Sequence, residues 1–445
     1  MTSSVFEALA ARLGKRQARV GVIGLGYVGL PLAMATAQAG FPVTGFDIDP
    51  DKIVKIAAGK SYVAAVPDAI LQAHFAVGRF SATSDFSDLA HCDVIVICVP
   101  TPLSRHREPD LSFVRRTSTE VANHLRPGQL VVLESTTYPG TTEEVVRPIL
   151  EAGGLRAGHD FFLGFSPERE DPGNSEFTTS TIPKVVGADG PEAKALLQAF
   201  YGAVVETVVP VSSAATAEAV KLTENIFRAV NIALVNELKV VYAAMGVDIW
   251  EVIDAARTKP FGFMPFYPGP GLGGHCIPID PFYLTWKSRE YEEPTRFIEL
   301  AGEVNSAMPR RVVRQLADAL DRKAGKALSL SRILVLGLAY KRNVPDIRES
   351  PSLKLIELIE AAGGTVSYHD PHVPEIPKTR EYAHLAGRLS VRWSEDEIRS
   401  YDAVLIATDH DSVDYALLAD WAALVVDTRN AMARKGVFGP KVVKA

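Results

Sequence analysis

The sequence predicts an α/β protein in which two doubly wound domains are joined by a long central helix. In the first half of the chain, short apolar runs at residues 19–23, 93–99 and 129–134 alternate with helical stretches. The same alternation returns after residue 331, and residues 214–244 between the two halves contain neither proline nor glycine. Near-continuous apolar runs are typical of parallel strands that are covered on both faces. We therefore expect three domains, at residues 1–210, 211–310 and 311–445.

Composition excludes several classes of protein. The 445 residues have a formal net charge of -6 and no long run of Lys or Arg, so no nucleic-acid partner is expected. Three cysteines are too few for a disulfide framework and wrongly spaced for a zinc site, so no metal is expected. Residues 1–19 lack an apolar signal core, and no apolar run reaches the roughly 18 residues that a membrane helix needs. We expect a cytoplasmic protein in a reducing compartment, with no membrane partner.

A glycine turn follows the first strand. Gly24, Gly26 and Gly29 lie between that strand and a helix expected at residues 30–39. In Rossmann-like folds the first glycine permits a tight turn, the second admits a pyrophosphate and the third lets the helix pack on the strand. Asp47 ends the next strand, close to the ~20 residues downstream at which an acid binds a ribose hydroxyl. Because a carboxylate would repel a 2′-phosphate, the pattern favours NAD over NADP.

Polar loops follow two later strands of the first domain. Pro100 and Thr101 come after one apolar run, and Ser135 and Thr136 come after the next. In open α/β sheets, ligands bind beyond the carboxyl ends of the strands. These four residues are therefore candidates for contact with the cofactor.

One long helix is predicted in the middle of the chain. Ser212 and Ser213 can cap its start, and Gly246 can end it. Lys221 and Asn225 are four residues apart and therefore share a face of the helix. A solvated face is the commoner explanation for such a pair, but further polar residues on this otherwise apolar helix favour a functional one.

A glycine-rich loop contains a cysteine four residues ahead of an acid, Cys276 and Asp280. We expect a helix whose first turn includes the prolines of residues 278–281 and which runs on to residue 288. This helix would put the thiol near its positive end and lower the pKa of the thiol. A thiolate is both a strong nucleophile and a good leaving group. The alternative is a small buried cysteine beside a tight turn. Burial is what we expect for Cys92 and Cys98, which have apolar or strand neighbours.

The last third of the chain repeats the strand-to-glycine beginning in altered form. A strand is predicted within residues 332–339, but the full glycine pattern is missing. The loop that follows contains Lys341, Arg342 and Arg348 instead. Fixed cations at such a loop suit a nucleotide diphosphate other than NAD. The alternative is a solvated surface loop.

In this order, the glycine turn, the Lys221 helix, the Cys276 loop and the basic loop at residues 341–350 resemble the UDP-glucose/GDP-mannose dehydrogenase family over nearly the whole chain. The order of four motifs is more specific than any one of them. Residues 266–271 and His275 are most similar to the family members that oxidise UDP-N-acetylhexosamines, above all UDP-N-acetylglucosamine. The manno and galacto epimers and UDP-glucose stay open as substrates, since the configuration of one hydroxyl is read by pocket geometry.

The resemblance implies a four-electron oxidation of the sugar C6 alcohol to a carboxylate, with two NAD used in succession. It implies that Cys276 forms a thiohemiacetal and then a thioester.

The resemblance also implies roles for five further residues. Lys221 and Asn225 would stabilise the oxyanion. Glu168 and Asp280 would activate the hydrolytic water, and Thr136 would orient that water.

The resemblance also implies the two binding sites and a homodimer or dimer-based oligomer through the long helix, with Arg257 reaching the sugar across the dimer interface. The residues implied for NAD are Gly24, Gly26, Tyr27, Val28, Gly29, Asp47, Pro100, Thr101, Ser135, Thr136 and Arg348. The residues implied for the UDP-sugar are Glu168, Lys221, Asn225, Arg257, Tyr267, Gly269, Gly271, Gly273, His275, Lys341 and Arg342.

Two rival functions need fewer of these features. A two-electron hydroxyacid dehydrogenase shares the glycine turn and a helix with lysine and asparagine, but it needs neither Cys276 nor a second nucleotide domain. A non-catalytic NAD-binding protein would need the fold alone. The number of NADH formed per sugar separates the three functions.

Overall fold

The computed structural model describes residues 4–63, 65–104, 108–169, 178–274, 277–379 and 381–445. The candidate nucleophile Cys276 and the neighbouring His275 lie outside these ranges. The chain divides into two compact units: unit 1 has residues 1–224 and 282–294, and unit 2 has residues 225–281 and 295–445. The domain boundaries expected at residues 210 and 310 stay predictions. Within the described ranges, no helix is both long and apolar enough to cross a membrane.

Unit 1 contains an eight-stranded sheet. Its strands are β1 (Val20–Ile23), β2 (Val43–Phe46), β3 (Phe80–Thr83), β4 (Val94–Ile97), β5 (Leu130–Leu133), β6 (Phe162–Phe165), β7 (Lys184–Gly187) and β8 (Val208–Val211). Their spatial order is β3-β2-β1-β4-β5-β6-β7-β8, and among the described residues only the β6–β7 pair is antiparallel. The chain winds in opposite directions on the two sides of the β1–β4 pair. This switch point leaves a crevice at the carboxyl ends of β1 and β4.

Helices cover both faces of this sheet, which is why β1, β4 and β5 are buried along their whole length. These helices are α1 (Ser4–Gly14), α2 (Gly29–Gln38), α3 (Pro50–Ala57), α4 (Asp68–Ala76), α5 (Ser112–His124), α6 (Arg147–Glu151) and α7 (Pro191–Val204). A 3-10 turn at Phe86–His91 and a π-helical turn at Thr142–Val146 complete the set.

The long helix expected at residues 214–244 is confirmed as α8 (Ala214–Ala244). Its start is capped, because the Ser213 hydroxyl accepts the N–H of Thr216 at 3.1 Å. Gly246 follows its end with a φ of +74°. The next helices are α9 (Ile249–Ala256), α10 (Asp280–Ser288) and α11 (Arg296–Ala324), with a 3-10 turn at Arg289–Tyr291. The helix expected to run on to residue 288 is confirmed as α10, and Asp280 is its first residue.

Unit 2 contains a second, five-stranded parallel sheet. Its strands are β9 (Arg332–Leu336), β10 (Thr365–His369), β11 (Ala403–Ile406), β12 (Val425–Asp427) and β13 (Val442–Lys444), in the order β10-β9-β11-β12-β13. Its further helices are α12 (Pro351–Ala361), α13 (Glu395–Arg399), α14 (Tyr415–Trp421) and α15 (Ala431–Arg434), with 3-10 turns at Leu328–Leu330 and Ala383–Leu385.

Alternate residues of β9 enter different cores. Ile333 and Val335 pack in one apolar cluster, and Leu334 and Leu336 pack in another on the opposite face. A strand buried on both faces needs apolar residues at every position, and this explains the continuous apolar run in the sequence. The predicted α/β fold, with two doubly wound sheets and a long central helix, is confirmed.

Candidate active site

The glycine turn of unit 1 fits a dinucleotide. Gly24 has a φ of +90°, and a Cβ on it would lie 2.5 Å from the carbonyl oxygen of Cys98. A Cβ on Gly29, the first residue of α2, would lie 1.9 Å from the carbonyl oxygen of Gly24. A Cβ on Gly26, in contrast, would meet no described atom within 4 Å. The backbone is therefore closed against the sheet and open at the position where a pyrophosphate approaches.

Asp47 follows β2 and is fixed beside this turn. Its Oδ2 accepts the N–H of Leu25 at 2.9 Å and an N–H of the Lys52 ammonium at 2.8 Å. Its Oδ1 accepts the N–H of Asp49 at 3.0 Å. A carboxylate in this place can accept hydrogen bonds from ribose hydroxyls. The turn and the acid together would hold the adenosine half of NAD, and sequence reasoning missed Lys52.

The loops after β4 and β5 are tied together by the hydroxyls that were expected to meet the cofactor. The Ser135 hydroxyl accepts the N–H of Val99 at 3.0 Å and donates to the carbonyl of Val99 at 2.7 Å. The Thr101 hydroxyl donates to the carbonyl of Thr136 at 2.7 Å. These bonds fix the edge of the crevice. Contact of Thr101, Ser135 and Thr136 with NAD stays a prediction, as it does for Pro100, Tyr27 and Val28.

Glu168 lies in the loop after β6, and its carboxylate belongs to a buried ionic cluster. Its Oε2 accepts an N–H of the Lys184 ammonium at 3.1 Å. The same ammonium donates to Glu134 at 3.1 Å, and the Tyr201 hydroxyl donates to the other oxygen of Glu134. Sequence reasoning found Glu168 but not Glu134, Lys184 or Tyr201. Glu134 lies 50 positions from Lys184 and 67 positions from Tyr201 in the chain.

The expected catalytic groups of helix α8 are buried. Lys221, in unit 1, is 8% exposed. Asn225 and Asp280, in unit 2, are 4% and 3% exposed, and the Asn225 amide donates to Asp280 Oδ2 at 2.6 Å. Asp280 is the first residue of α10, where the helix dipole stabilises a carboxylate. The asparagine and the acid are therefore brought together, while Cys276 lies outside the described residues.

The other two cysteines have the places expected of structural residues. Cys92 is buried, and burial raises the pKa of its thiol to about 12. Cys98 is partly buried and packs against the core of unit 1. A thiol with a raised pKa is a poor nucleophile at neutral pH.

Unit 2 contains a cavity of about 620 Å³ with a strongly basic lining. It brings together four residues predicted from the sequence: Arg257, Tyr267, Lys341 and Arg342. Among its other lining residues are Trp250, Asp254, Asp409, Arg429 and Arg434. Five basic side chains and two carboxylates therefore line the cavity, and this excess of positive charge favours the binding of a diphosphate.

Arg429 is the main residue of this cavity that sequence reasoning missed. It lies two residues after β12, and its Nε donates to the carbonyl of Ala407 at 2.8 Å. A Cβ on Gly269 would lie 2.5 Å from Arg429 Nη1, so only glycine lets the 266–271 loop approach the guanidinium. The signal was present in the sequence, because Arg429 follows the carboxyl end of a parallel strand in the same way as Thr101.

Asp409 organises two of the basic side chains. Its carboxylate is paired with the guanidinium groups of Arg342 and Arg434. Burial disfavours a charged carboxylate, but the charges of Arg429, Arg434 and Arg342 hold the pKa of Asp409 below its ordinary value. The cluster stays ionised and keeps an excess of positive charge in the cavity.

The remaining predictions for unit 2 fall on the glycine loop before Cys276 and on the basic loop after β9. A Cβ on Gly273 would lie 2.6 Å from Tyr340 Cβ, and the N–H of Gly274 donates to the carbonyl of Arg348 at 3.0 Å. The glycine loop therefore packs on the basic loop. Arg348 is paired with Asp346 at 2.6 Å, and its expected contact with NAD stays a prediction.

A dinucleotide turn in unit 1 and a basic nucleotide-sized cavity in unit 2 define the class: an oxidoreductase that acts on a nucleotide-linked substrate. Comparison with known families narrows it. The NAD binding domain of the UDP-glucose/GDP-mannose dehydrogenase family matches residues 18–205, its central domain residues 215–307 and its UDP binding domain residues 334–434. The chain belongs to this family, and its cofactor is NAD.

Several relatives match over most of their length. UDP-N-acetyl-D-glucosamine 6-dehydrogenase from Pseudomonas aeruginosa is 37% identical over 88% of this chain and 90% of its own. UDP-N-acetyl-D-mannosamine dehydrogenase from Pyrococcus horikoshii is also 37% identical, over 88% of this chain and 89% of its own. The solved structure of the P. horikoshii UDP-D-ManNAc dehydrogenase gives a TM-score of 0.86 at 35% identity, covering 96% of this chain and 98% of that one. A UDP-glucose dehydrogenase structure from Pyrobaculum islandicum gives 0.82 at 28% identity, covering 96% and 97%.

Proposed function

We propose that this protein oxidises the C6 hydroxyl of a UDP-N-acetylhexosamine to a carboxylate, with UDP-N-acetylglucosamine as the preferred substrate. The observation that carries the proposal is the basic cavity of unit 2, in a chain that already has an NAD turn. Two relatives of equal identity, 37%, act by their names on the gluco and the manno epimer. UDP-N-acetylmannosamine is therefore the first alternative, followed by the galacto epimer and UDP-glucose.

The chain supplies the groups for an oxidation through a covalent intermediate. When bound, NAD accepts the hydride that C6 loses in each of two oxidation steps. In the first step the C6 hydroxyl proton passes to a water or base held by Asp280 and Lys221. The Cys276 thiolate then adds to the aldehyde carbon, and the charge that develops on the oxygen is stabilised by Lys221 and Asn225.

The second oxidation turns the thiohemiacetal into a thioester, which must be hydrolysed. A water oxygen bonds to C6, the C6–S bond breaks and its electron pair leaves on the Cys276 sulfur. The water proton passes to Glu168 or Asp280, and Thr136 orients the water. Because the aldehyde stays bound to sulfur between the oxidations, no free aldehyde is released.

In the cavity of unit 2, Lys341, Arg342 and Arg429 would bind the diphosphate. Tyr267 and the loop up to Gly273 would enclose the uridine and the sugar. Cations on two separate chain segments give more specificity than one basic run, because each segment is fixed by its own backbone.

The proposed homodimer would use the exposed apolar stripe of α8. Phe227, Leu234 and Val241 are 49%, 51% and 46% exposed and recur every seven residues along the helix. Such a stripe is costly in water and is typical of a helix that pairs with another helix. A second copy of this chain offers the same stripe, and pairing of the two would bury both. The expected cytoplasmic location stays a prediction.

The proposal is tested by incubating the purified protein with NAD and each of four UDP-sugars: the gluco, manno and galacto N-acetylhexosamines and glucose. We expect two NADH per sugar consumed and the highest kcat/KM for UDP-N-acetylglucosamine. One NADH per sugar with free aldehyde would favour the two-electron rival, and no NADH with any sugar would favour a non-catalytic NAD-binding protein.

Variants of the cysteine test the covalent step. Cys276→Ala is expected to abolish net oxidation. Cys276→Ser is expected to accumulate an ester on the protein, because an alkoxide is a poorer leaving group than a thiolate. An unchanged rate in either variant would remove the cysteine from the reaction.

A further inference from the structure

Lys184, the first residue of β7, is a buried lysine placed between two carboxylates. Its side chain is 5% exposed, and its ammonium lies 3.1 Å from an oxygen of Glu134 and 3.1 Å from an oxygen of Glu168. Glu134 is fully buried, whereas Glu168 is 13% exposed. The ammonium therefore connects an acid inside the core with an acid at its edge.

The inner end of this cluster is fixed. The Tyr201 hydroxyl donates to Glu134, and the Lys184 ammonium lies 5.5 Å from the centroid of the Tyr201 ring. Tyr201 belongs to α7 and Glu134 follows β5, so the anchor is built on two regular elements. Such an anchor leaves Lys184 little freedom to move.

The outer end is fixed as well. The N–H of Arg169 donates to Glu168 Oε1 at 2.7 Å, so both oxygens of the Glu168 carboxylate have a donor. The Arg169 guanidinium in turn donates to the carbonyl of Pro183 at 2.7 Å and to Glu224 at 2.6 Å. The position of the carboxylate is therefore set by donors from two chain segments.

Stability alone gives no reason for this arrangement. Burial disfavours a charged lysine, and only the two carboxylates raise the pKa of Lys184 above its ordinary value. Burial also raises the pKa of Glu134, with the neighbouring Glu168 charge adding to the effect. Apolar residues of similar volume commonly stabilise a core as well as a buried ion pair does. A charged cluster that ends on a candidate base has a functional explanation instead.

We propose that Lys184 is a positioning residue, which keeps the Glu168 carboxylate ionised and in a fixed orientation as the base for thioester hydrolysis. The inference rests on the proposed function. In the step concerned, the water oxygen bonds to C6, the C6–S bond breaks with its electron pair leaving on sulfur, and the water proton moves to Glu168.

The test uses a variant that separates position from stability. Lys184→Met alone would leave two carboxylates facing each other in the core and can prevent folding. The double variant Lys184→Met/Glu134→Gln removes one positive and one negative charge and keeps an acceptor for the Tyr201 hydroxyl. Glu168 is then left without its ammonium, while the net charge of the cluster is unchanged. Lys184→Arg is the conservative variant.

A matched control exists in the same unit. The Lys287 side chain is also 5% exposed, and its ammonium lies 2.6 Å from Glu144 and 2.7 Å from Glu290. Lys287→Met removes the ion pairs between a buried lysine and two carboxylates, neither of which is Glu168. It therefore reports the effect of losing such a cluster without the proposed role.

The readouts are the steady-state rate against pH and the mass of the intact protein during turnover with UDP-N-acetylglucosamine and NAD. For the double variant we expect kcat to fall at least about tenfold with little change in KM, because general-base catalysis is lost. The rising limb of the pH profile should move to higher pH, and the protein should accumulate the mass of the sugar-nucleotide acyl group. Lys184→Arg should restore most of the rate, and Lys287→Met should accumulate no acyl group.

Three results would overturn the inference: a double variant with the rate and pH profile of the original protein, a rate loss without acyl-protein, or acyl-protein in Lys287→Met as well. Glu168→Gln separates this failure from failure of the proposed function. If Glu168→Gln accumulates acyl-protein and the double variant does not, only the role of Lys184 is wrong. If Cys276→Ala still forms two NADH per sugar, the covalent reaction itself is wrong, and the inference falls with it.

Discussion

Lys239, on the unit 2 part of α8, shows how a single buried charge can be measured in this protein. Its side chain is buried, and its ammonium has no hydrogen-bond partner among the described residues. The ring of Trp250, whose centroid lies 5.6 Å away, gives some compensation. The pKa of Lys239 is lowered from 10.5 to about 7, mainly by burial. The charges of Arg429 and Arg311 also lower this pKa, and the charge of Asp427 acts against them.

We predict that the stability contribution of Lys239 rises with pH. Between pH 7 and about pH 10 the unfolded chain still binds the lysine proton while the folded chain does not, so the free energy of unfolding increases across this window. Below pH 7 both states are protonated and the cost of burial is complete. Lys239→Met should therefore stabilise unit 2 by roughly 1 to 3 kcal/mol near pH 7 and by less near pH 10.

Denaturant unfolding at several pH values checks this prediction. The matched control is Lys378→Met, which replaces an exposed lysine of the same unit. A Lys239→Met gain that is equal at pH 6.5 and pH 10 would show that the ammonium is not the cause.

Asp47 allows a second prediction at the scale of one residue. Asp47→Asn keeps an oxygen for the N–H of Leu25 but removes the charge that repels a 2′-phosphate. We expect weaker binding of NAD and a preference for NAD over NADP that narrows by about tenfold, measured as the ratio of their dissociation constants. An unchanged ratio would mean that the carboxylate does not face the ribose.

At the scale of elements, helix α8 and the buried strands were predictable because their signals are local. Residues 214–244 lack proline and glycine and are flanked by a cap and a stop, so the helix has the expected bounds. The run ahead of Asp47 spans residues 41–46 in the sequence, but strand β2 begins only at Val43. Pro42 has no N–H for the ladder, and Val20 instead donates to the Pro42 carbonyl at 2.9 Å.

The parts of the site that could not be predicted depend on pairs distant in the chain. Nothing near Lys184 in the sequence indicates that its ammonium meets Glu134 and Glu168. Arg429 carried a local signal, since it follows a parallel strand, but its partners in the cavity depend on β12 and β11 being neighbours in the sheet. Single motifs gave the residues on tight turns and helix faces, while cross-element partners required the fold.

The apolar stripe of α8 carries a prediction about assembly. Leu234→Asp places a charge at the centre of the stripe, where it would be desolvated in a dimer but solvated in a monomer. We expect the molar mass measured by light scattering to change from dimer to monomer. Glu237→Asp, at another exposed position of α8, is the control and should leave the mass unchanged. A monomeric original protein would contradict the proposed dimer.

At the scale of the whole molecule, the two candidate nucleotide sites belong to different units of the chain. The glycine turn and Asp47 lie in unit 1, and the cavity lined by Arg429 lies in unit 2. Each site is built from residues of its own unit, with its own sheet and core. Changes confined to one site should therefore leave the intrinsic affinity of the other largely intact.

We predict that Arg429→Met weakens UDP binding and spares NAD binding. Loss of hydrogen bonds from a guanidinium to a charged phosphate costs about 1.5 to 3 kcal/mol, which corresponds to roughly a tenfold to hundredfold higher Kd for UDP. Isothermal titration of each ligand alone measures both affinities in the same protein. Arg399→Met, on the exposed helix α13 of the same unit, removes an equal charge outside the cavity and should change neither affinity. Equal losses for UDP and NAD in Arg429→Met would mean that the variant disturbs the fold, and an unchanged UDP affinity would remove Arg429 from the diphosphate site.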